Sequence, residues 1–593
     1  MRKPSILGRF LIWKVKNIEH RYFLLVISII IGCLSGLAAV TLKTTVHYIE
    51  VYFTNSKVFD VQEENYYFLA YPLIGIFITV LYLKIFIRQD IGHGITRILY
   101  SLSKKSGIMK FHNMYSSIIA CTFTGGFGGS VGMEAPIVST GAAIGSNISQ
   151  LLRLNFKTTV LFIACGATGA MAGIFKAPIA ALIFSLEVLM LDLTLTSIIP
   201  LLMASVSGAM MANLLLGEKI LFHFSLVDKF NMHHLPYYIG LGIIAGLVSV
   251  YFTRITLIIE LKFDRIRKPF KKLFIGGICL GVLIFIFPPL YGEGYLAMKQ
   301  ILGGNADELL NNSFFYTFKD NFWFFISFLT CLLALKVIAT CVTTGSGGIG
   351  GIFASTMFMG GFTGYIFARL VNHSGFVNLS ESNFALVGMA GMIAGVIHAP
   401  LTAIFLIAEI TNGYELFMPL MVTSAISYLT IKYFEPHSIY TRRLAKRGEL
   451  LTHHKDKMVL SQMKISSLIE KDELTVAPDY TLGELVKIIA NTKRNIIPVL
   501  DKNEMLLGMI PLDNIRQIMF NQEMYETTEV RSLMVLPPTY ISSKESMARV
   551  MQKFEESGEW SLPVIDDGKY KGYILKTKLF SAYRNKMVEF SDD

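Results

Sequence analysis

Charged residues are sparse in this sequence: Asp, Glu, Lys and Arg make up 16% of its 593 residues. Between Lys110 and Arg153 the sole formal charge is Glu134, inside the stretch "GGFGGSVGMEAPI". A soluble domain carries about 25% charged residues, so this composition, with 53% hydrophobic residues, excludes a water-soluble globule for most of the chain. Cysteine is scarce too. Cys33, Cys121, Cys165, Cys279, Cys331 and Cys341 have no metal-ligand spacing and are absent from the C-terminal part. They read as small core residues, the Cys-free tail suits a reducing cytosol, and no metal or cofactor is expected.

What fills the chain instead is apolar sequence. "YFLLVISIIIGCLSGLAAV" from Tyr22 and "FLAYPLIGIFITVLYLKIFI" from Phe68 reach the roughly 20 residues that span a bilayer as helix. The first lies behind a long basic stretch without a convincing cleavage site, so it does not read as a removed signal. Arg2, Lys3, Arg9, Lys14, Lys16 and Arg21 precede it, and Arg442, Arg443, Lys446 and Arg447 follow the last apolar segment. Both termini are therefore expected on the cytoplasmic side, with an even number of full crossings. This flanking bias also accounts for much of the net charge of +11, and no nucleic-acid partner is needed.

Composition changes near residue 440. The expected layout is a membrane domain over 1–445, with halves at about 22–216 and 235–440, a linker over 446–460, and soluble modules over 461–522 and 526–585. Several apolar segments are short or broken by glycine and proline, and the halves resemble each other. "GATGAMAGIFKAPIAALIFSLEV" from Gly166 aligns with "GMAGMIAGVIHAPLTAIFLIAEI" from Gly388, an offset of 222 that pairs Glu187 with Glu409. At the same offset, without a gap, "GGFGG" at 125–129 falls on "GGIGG" at 347–351. Internal repeats with interrupted short helices point to a transport fold whose binding site lies between the repeats. A half-helix starting inside the membrane leaves about four N–H groups unpaired, and these with the helix dipole make an anion site without a basic side chain. "TTGSGGIGGIF", entering a helix near Ile352, and "GHGI", entering one near Thr96, are candidates.

On these pieces the membrane part resembles the CLC chloride channels and chloride/proton exchangers. "GHGIT" (92–96) stands for the family's G-S-G-I-P, "GMEAP" (132–136) for its G-[KR]-E-G-P, "GIFAS" (351–355) for its G-x-F-x-P, and Tyr440 for its pore tyrosine. Residues 461–585 look like a pair of cystathionine-β-synthase (CBS) type modules. The fold implied is an α-helical polytopic membrane protein with an inverted internal repeat, plus an α/β CBS-pair cytosolic domain. The resemblance also implies a homodimer in the lipid bilayer with one pathway per subunit for chloride or a similar small anion.

It further implies roles for residues. Glu134 matches the gating glutamate, which occupies an anion site itself and leaves when protonated or outcompeted. Tyr440, Gly94, Ile95, Ile352 and Phe353 stand at anion-binding positions, and His93 replaces the usual serine. An imidazole can donate an N–H to the anion, or the ring points away and the backbone serves alone. Met133 and Ala135 replace the family's basic residue and glycine, so the outer entrance should attract anions less strongly. Val188 stands where many proton-coupled members have an acid. A valine carries no proton, so the expectation is channel-like, uncoupled conduction, with an anion/proton exchanger as the alternative; Glu187, mated to Glu409, reads as structural.

A rival of another class is an intramembrane serine hydrolase, because "GGSVG" (128–132) satisfies G-x-S-x-G and His93 or His112 offers a base. Against it, Ser130 pairs with Ile352 in the repeat, so the glycines recur and the serine does not. Transport and no enzymatic activity is the reading preferred. In the tail, Gly508 is followed by Pro511 and Asn514, and Gly572 by Leu575 and Lys578. Neither keeps the Ser/Thr and Asp pair of nucleotide-binding CBS modules, so an adenine nucleotide is not expected there.

Overall fold

The computed structural model describes residues 19–591 apart from 56–66, 90, 92–93, 190–194, 218–229, 311–314, 319, 412, 447–459, 461–462, 472–474 and 493–494. It divides into two compact units, Met1–Leu450 and Leu451–Asp593. Among the described residues, the named elements of the first are all helices. Its first half holds α1 (His20–Asn55), α2 (Tyr67–Tyr82), α3 (Gly94–Lys104), α4 (Asn113–Gly126), α5 (Glu134–Leu151), α6 (Phe156–Phe175), α7 (Pro178–Val188) and α8 (Leu195–Leu216). The second holds α9 (Leu235–Asp264), α10 (Pro269–Ile286), α11 (Tyr295–Leu302), α12 (Phe322–Gly345), α13 (Phe353–His373), α14 (Glu381–Ile397), α15 (Pro400–Thr411), α16 (Phe417–Phe434) and the short α17 (Arg442–Lys446). Among the described residues seven helices, α1, α2, α6, α8, α9, α10 and α12, are long and apolar enough to cross a membrane.

The breaks between helices are written in the sequence. α6 ends on Lys176 and α14 on His398, both in the left-handed region (φ 57° and 61°). Each is followed by Ala-Pro, and the proline opens the next helix at its first turn, where its missing N–H costs nothing. α7 and α15 thus restart as separate helices within apolar sequence. Their exposed N–H groups are met reciprocally across the molecule. Glu187, at the end of α7, accepts from Leu401 N–H (3.1 Å) and Thr402 N–H (2.8 Å) and from the Thr402 hydroxyl (2.7 Å). Glu409 accepts from Ile179 N–H (3.0 Å) and Ala180 N–H (2.8 Å). Each half caps the other, the signature of an internal two-fold.

The structure corrects one register. Gly129 N–H bonds Thr124 O and Gly348 N–H bonds Thr343 O, while Gly128 and Gly347 share positive φ (81° and 104°). In this loop the mates therefore lie 219 apart, not 222: Gly132 faces Gly351, Glu134 corresponds to Phe353, and Ser130 to Ile349. Gly132 and Gly351 exchange both backbone hydrogen bonds (2.9 and 2.7 Å), so the two-fold passes between them. The three-residue difference is absorbed by α13, which has 21 residues against 18 in α5. Beyond it the 222 offset returns. Gly141 packs on Gly166 and Gly360 on Gly388 so closely that an added Cβ would lie 1.9–2.5 Å from the facing carbonyl. These small residues let the α5–α6 and α13–α14 backbones touch.

Of the cysteines, Cys121, Cys165 and Cys341 are buried, whereas Cys279 and Cys331 lie on exposed helix faces. The core-residue expectation fails for these two, because an apolar helix facing lipid has no need to bury small side chains.

The second unit holds two hairpins, β1 (Ile496–Leu500) with β2 (Leu506–Pro511) and β3 (Ser561–Asp566) with β4 (Lys569–Leu575), both antiparallel. Parallel bridges Val476–Val499 and Ile541–Val564 repeat the same plan. Each module lends a segment to the other. Ile465 and Leu468 pack with Leu562, Val564 and Ile574, whereas Val530 packs with Ile497, Val499 and Ile510.

Candidate anion site and gate

Three half-helices begin beside one another: α3 at Gly94, α5 at Glu134 and α13 at Phe353. Gly94 backs onto Ala135, where a Cβ would meet Ala135 O at 2.6 Å, and a Cβ on Gly351 would meet that of Ala135 at 3.0 Å. With no side chain in the way, the first turns of the three helices, whose leading N–H groups lack intrahelical partners, lie close together. A cavity of about 30 Å³ opens there, lined by Gly94, Ile95, Thr96, Ala135, Ile352 and Tyr440, with Thr256, Glu260 and Arg443 at its margin. That volume admits a water-sized or monatomic species.

Tyr440 is 6% exposed, and its hydroxyl is buried without a hydrogen-bond partner. A buried unsatisfied hydroxyl costs about 1–3 kcal/mol, which an anion accepting its hydrogen would recover. Its backbone is anchored by Thr96, whose hydroxyl donates to Tyr440 O at 3.2 Å. Nearby, Glu435 pairs with Arg254 (3.1 Å) and Arg442.

Glu134 is 3% exposed. Tyr295 donates its hydroxyl to Glu134 Oε1 at 2.7 Å, Oε2 makes no close hydrogen bond, and the backbone N–H groups of Glu134 itself and of Ala354, at the starts of α5 and α13, face the carboxylate. The carboxylate lies back over Gly132, where a Cβ would stand 2.0 Å from Oε2. That glycine is therefore required by the carboxylate as well as by the repeat.

Gly94, Ile95, Ile352 and Tyr440 thus line one small cavity. Phe353 is adjacent but buried, with its ring 5.5 Å from that of Phe175. His93 lies outside the described residues. Val188 is buried, and Glu187 is occupied in capping α15. Ser130 accepts a hydrogen bond from Lys336 Nζ at 2.9 Å, and neither ring nitrogen of His112 has a partner. No histidine among the described residues therefore serves Ser130 as a base.

Three lining residues escaped sequence reading. Thr256 and Glu260 end a long apolar helix, and Arg443 looked like a membrane-flanking cation. Glu260 and Arg443 pair at 2.6 Å and line both the small cavity and a wider one of about 640 Å³, which also includes Lys84, Arg88, Lys272 and the 345–350 loop. A basic vestibule thus adjoins the small cavity. An i, i+4 pair with apolar neighbours would have been the available signal for Thr256 and Glu260.

Comparison with known proteins agrees with this geometry. The sequence profile described as "Voltage gated chloride channel" matches residues 74–432, and that of the "CBS domain" matches 465–521 and 530–585. The chain is 26% identical to "Chloride channel protein CLC-f" of Arabidopsis thaliana, over 72% of this chain and 61% of that protein's length. It is 26% identical to "H(+)/Cl(-) exchange transporter ClcA" of Vibrio cholerae, over 71% and 89%. Its fold is similar to that of a "slow cyanobacterial Cl-/H+ antiporter", with a TM-score of 0.60 and 22% identity over 73% of this chain and 99% of that one.

Proposed function

Since the chain belongs to the voltage-gated chloride channel family, we propose that it exchanges a small inorganic anion, chloride foremost, for protons across the membrane, with Glu134 as the gate. The observation carrying this reading is the buried Glu134 carboxylate, one oxygen without a close hydrogen bond, at the same cluster of helix N-termini that lines an ion-sized cavity. Carboxylate and anion compete for the same N–H groups. Protonation discharges the carboxylate, frees those groups, and ties anion passage to a proton.

Exchange replaces the uncoupled conduction anticipated from Val188. Relatives named as H(+)/Cl(-) exchange transporters favour it. Glu187 does not stand in for the missing acid, since its oxygens are taken by α15. Glu260 lines both cavities on the vestibule side, where it is paired with Arg443. The reading includes cytoplasmic termini and vestibule, a homodimer with one pathway per subunit, and binding roles for Gly94, Ile95, Ile352, Phe353, Tyr440 and His93.

The test is reconstitution in liposomes under a chloride gradient, with proton movement recorded beside anion flux. Uphill proton movement driven by chloride supports exchange. Chloride flux without protons would restore the channel, and the absence of anion flux would remove transport altogether.

A further inference from the structure

A second carboxylate stands at the gate. Glu293 lies in the tight joint between α10 and α11, whose flanking Gly292 and Gly294 both have positive φ (59° and 89°). Its Oε1 accepts the N–H of Met133, the residue that precedes Glu134 and caps α5, at 2.9 Å. Two residues further on, Tyr295 holds Glu134 itself. One turn of chain therefore grips the gate helix at successive residues.

Its surroundings are charged on several sides. Lys336 of α12, fully buried, closes the joint from behind, donating to Ser130 Oγ (2.9 Å) and Gly292 O (3.0 Å), and its charge acts on Glu293. From α1, Lys43 and Glu50 act on Glu293, and from α5 Glu134 does; Lys299 of α11 and Lys176 act on Lys43. Lys43, His47 and Glu50 follow at i, i+4 and i+7, on one face of α1. Lys43 stands about 35 Å along α1 from His20 at 1.5 Å per residue, roughly the thickness of a bilayer core. The cluster thus belongs to the membrane face opposite the start of α1. Glu293 is partly exposed, whereas Glu134 is buried.

Two carboxylates at one helix N-terminus repel when both are ionised, and a single proton between them is favoured. We propose, resting on the exchange reading, that Glu293 is the outer proton acceptor that loads Glu134. A proton from the outer solution binds the Glu293 carboxylate and passes to the Glu134 carboxylate. Glu293 is regenerated as an anion, and neutral Glu134 leaves its N–H groups to the incoming chloride. Lys43 holds the negative charge of Glu293 between cycles.

Glu293→Gln keeps an acceptor for Met133 N–H and removes the proton site. In liposomes under a chloride gradient it should slow proton movement by about tenfold or more, while Glu293→Asp retains coupled exchange. In a Glu134→Gln background, where no proton is needed, adding Glu293→Gln should leave chloride flux unchanged. Wild-type proton rates in Glu293→Gln would overturn the proposal alone. An equal loss of chloride flux in the Glu134→Gln background would make Glu293 merely structural. Chloride flux without proton movement in the wild type would overturn exchange and this role together.

Discussion

At Glu134 the competing demands on one side chain are plain: Tyr295 fixes one oxygen, the other makes no close hydrogen bond, and Gly132 leaves no room for displacement by a Cβ. Glu134→Gln should give anion flux that no longer rises on acidification, measured as chloride efflux between neutral and acid pH. Unchanged pH dependence would reduce the residue to a helix cap. Gly132→Ala tests the same geometry from the other side. A methyl 2.0 Å from Oε2 must push the carboxylate off its seat, so neutral-pH flux should rise toward that of Glu134→Gln. Much of this site was legible beforehand, because a lone acid in an apolar stretch and glycines before helix starts are strong local signals. Glu293 was not: in "YGEGY" an acid between two glycines reads as a surface turn, and only tertiary contact brings it to Met133.

Pairs of half-helices make the scaffold, and their reciprocal caps are where it can be weakened without touching the pathway. Glu187→Ala and Glu409→Ala should each lower stability by roughly 0.5–2 kcal/mol, read as a drop in melting temperature in detergent, with the proton-to-chloride ratio unaltered. Loss of coupling in Glu187→Ala would return that residue to the proton route. The sequence showed that these glutamates are mates but could not show that each serves the other half, because a repeat reports equivalence and not contact. The glycine loop misled for a related reason: "GGFGG" fits "GGIGG" in letters at 222, while the hydrogen bonds and positive-φ glycines select 219. In the tail, hydrogen bonds from Ser543 and Ser542 (2.9 and 2.8 Å) hold the Asp566 carboxyl below its usual value. Their contribution is present above the unfolded pKa of about 3.9 and is lost as pH falls through the lower folded value. Asp566→Asn should flatten that part of the tail's acid melting profile.

The whole chain joins a membrane domain with an internal two-fold to a soluble pair of modules that lend segments to each other. Lys578, at one position that nucleotide binding would need, is engaged with Glu470 at 3.2 Å. Adding ATP should therefore leave the melting temperature unchanged, and a clear rise would show a nucleotide site. Light scattering in detergent should return twice the chain mass for the protein component. Above these stands the competition between carboxylate and anion for one set of helix N-termini, which links chloride binding to proton uptake in a single equilibrium. Calorimetric titration of chloride at neutral pH, repeated in buffers of different ionisation enthalpy, reads that linkage directly. The wild type should take up close to about one proton per chloride bound, and Glu134→Gln should bind chloride with none. Chloride binding with no proton uptake in the wild type, or with the same uptake in Glu134→Gln, would contradict it.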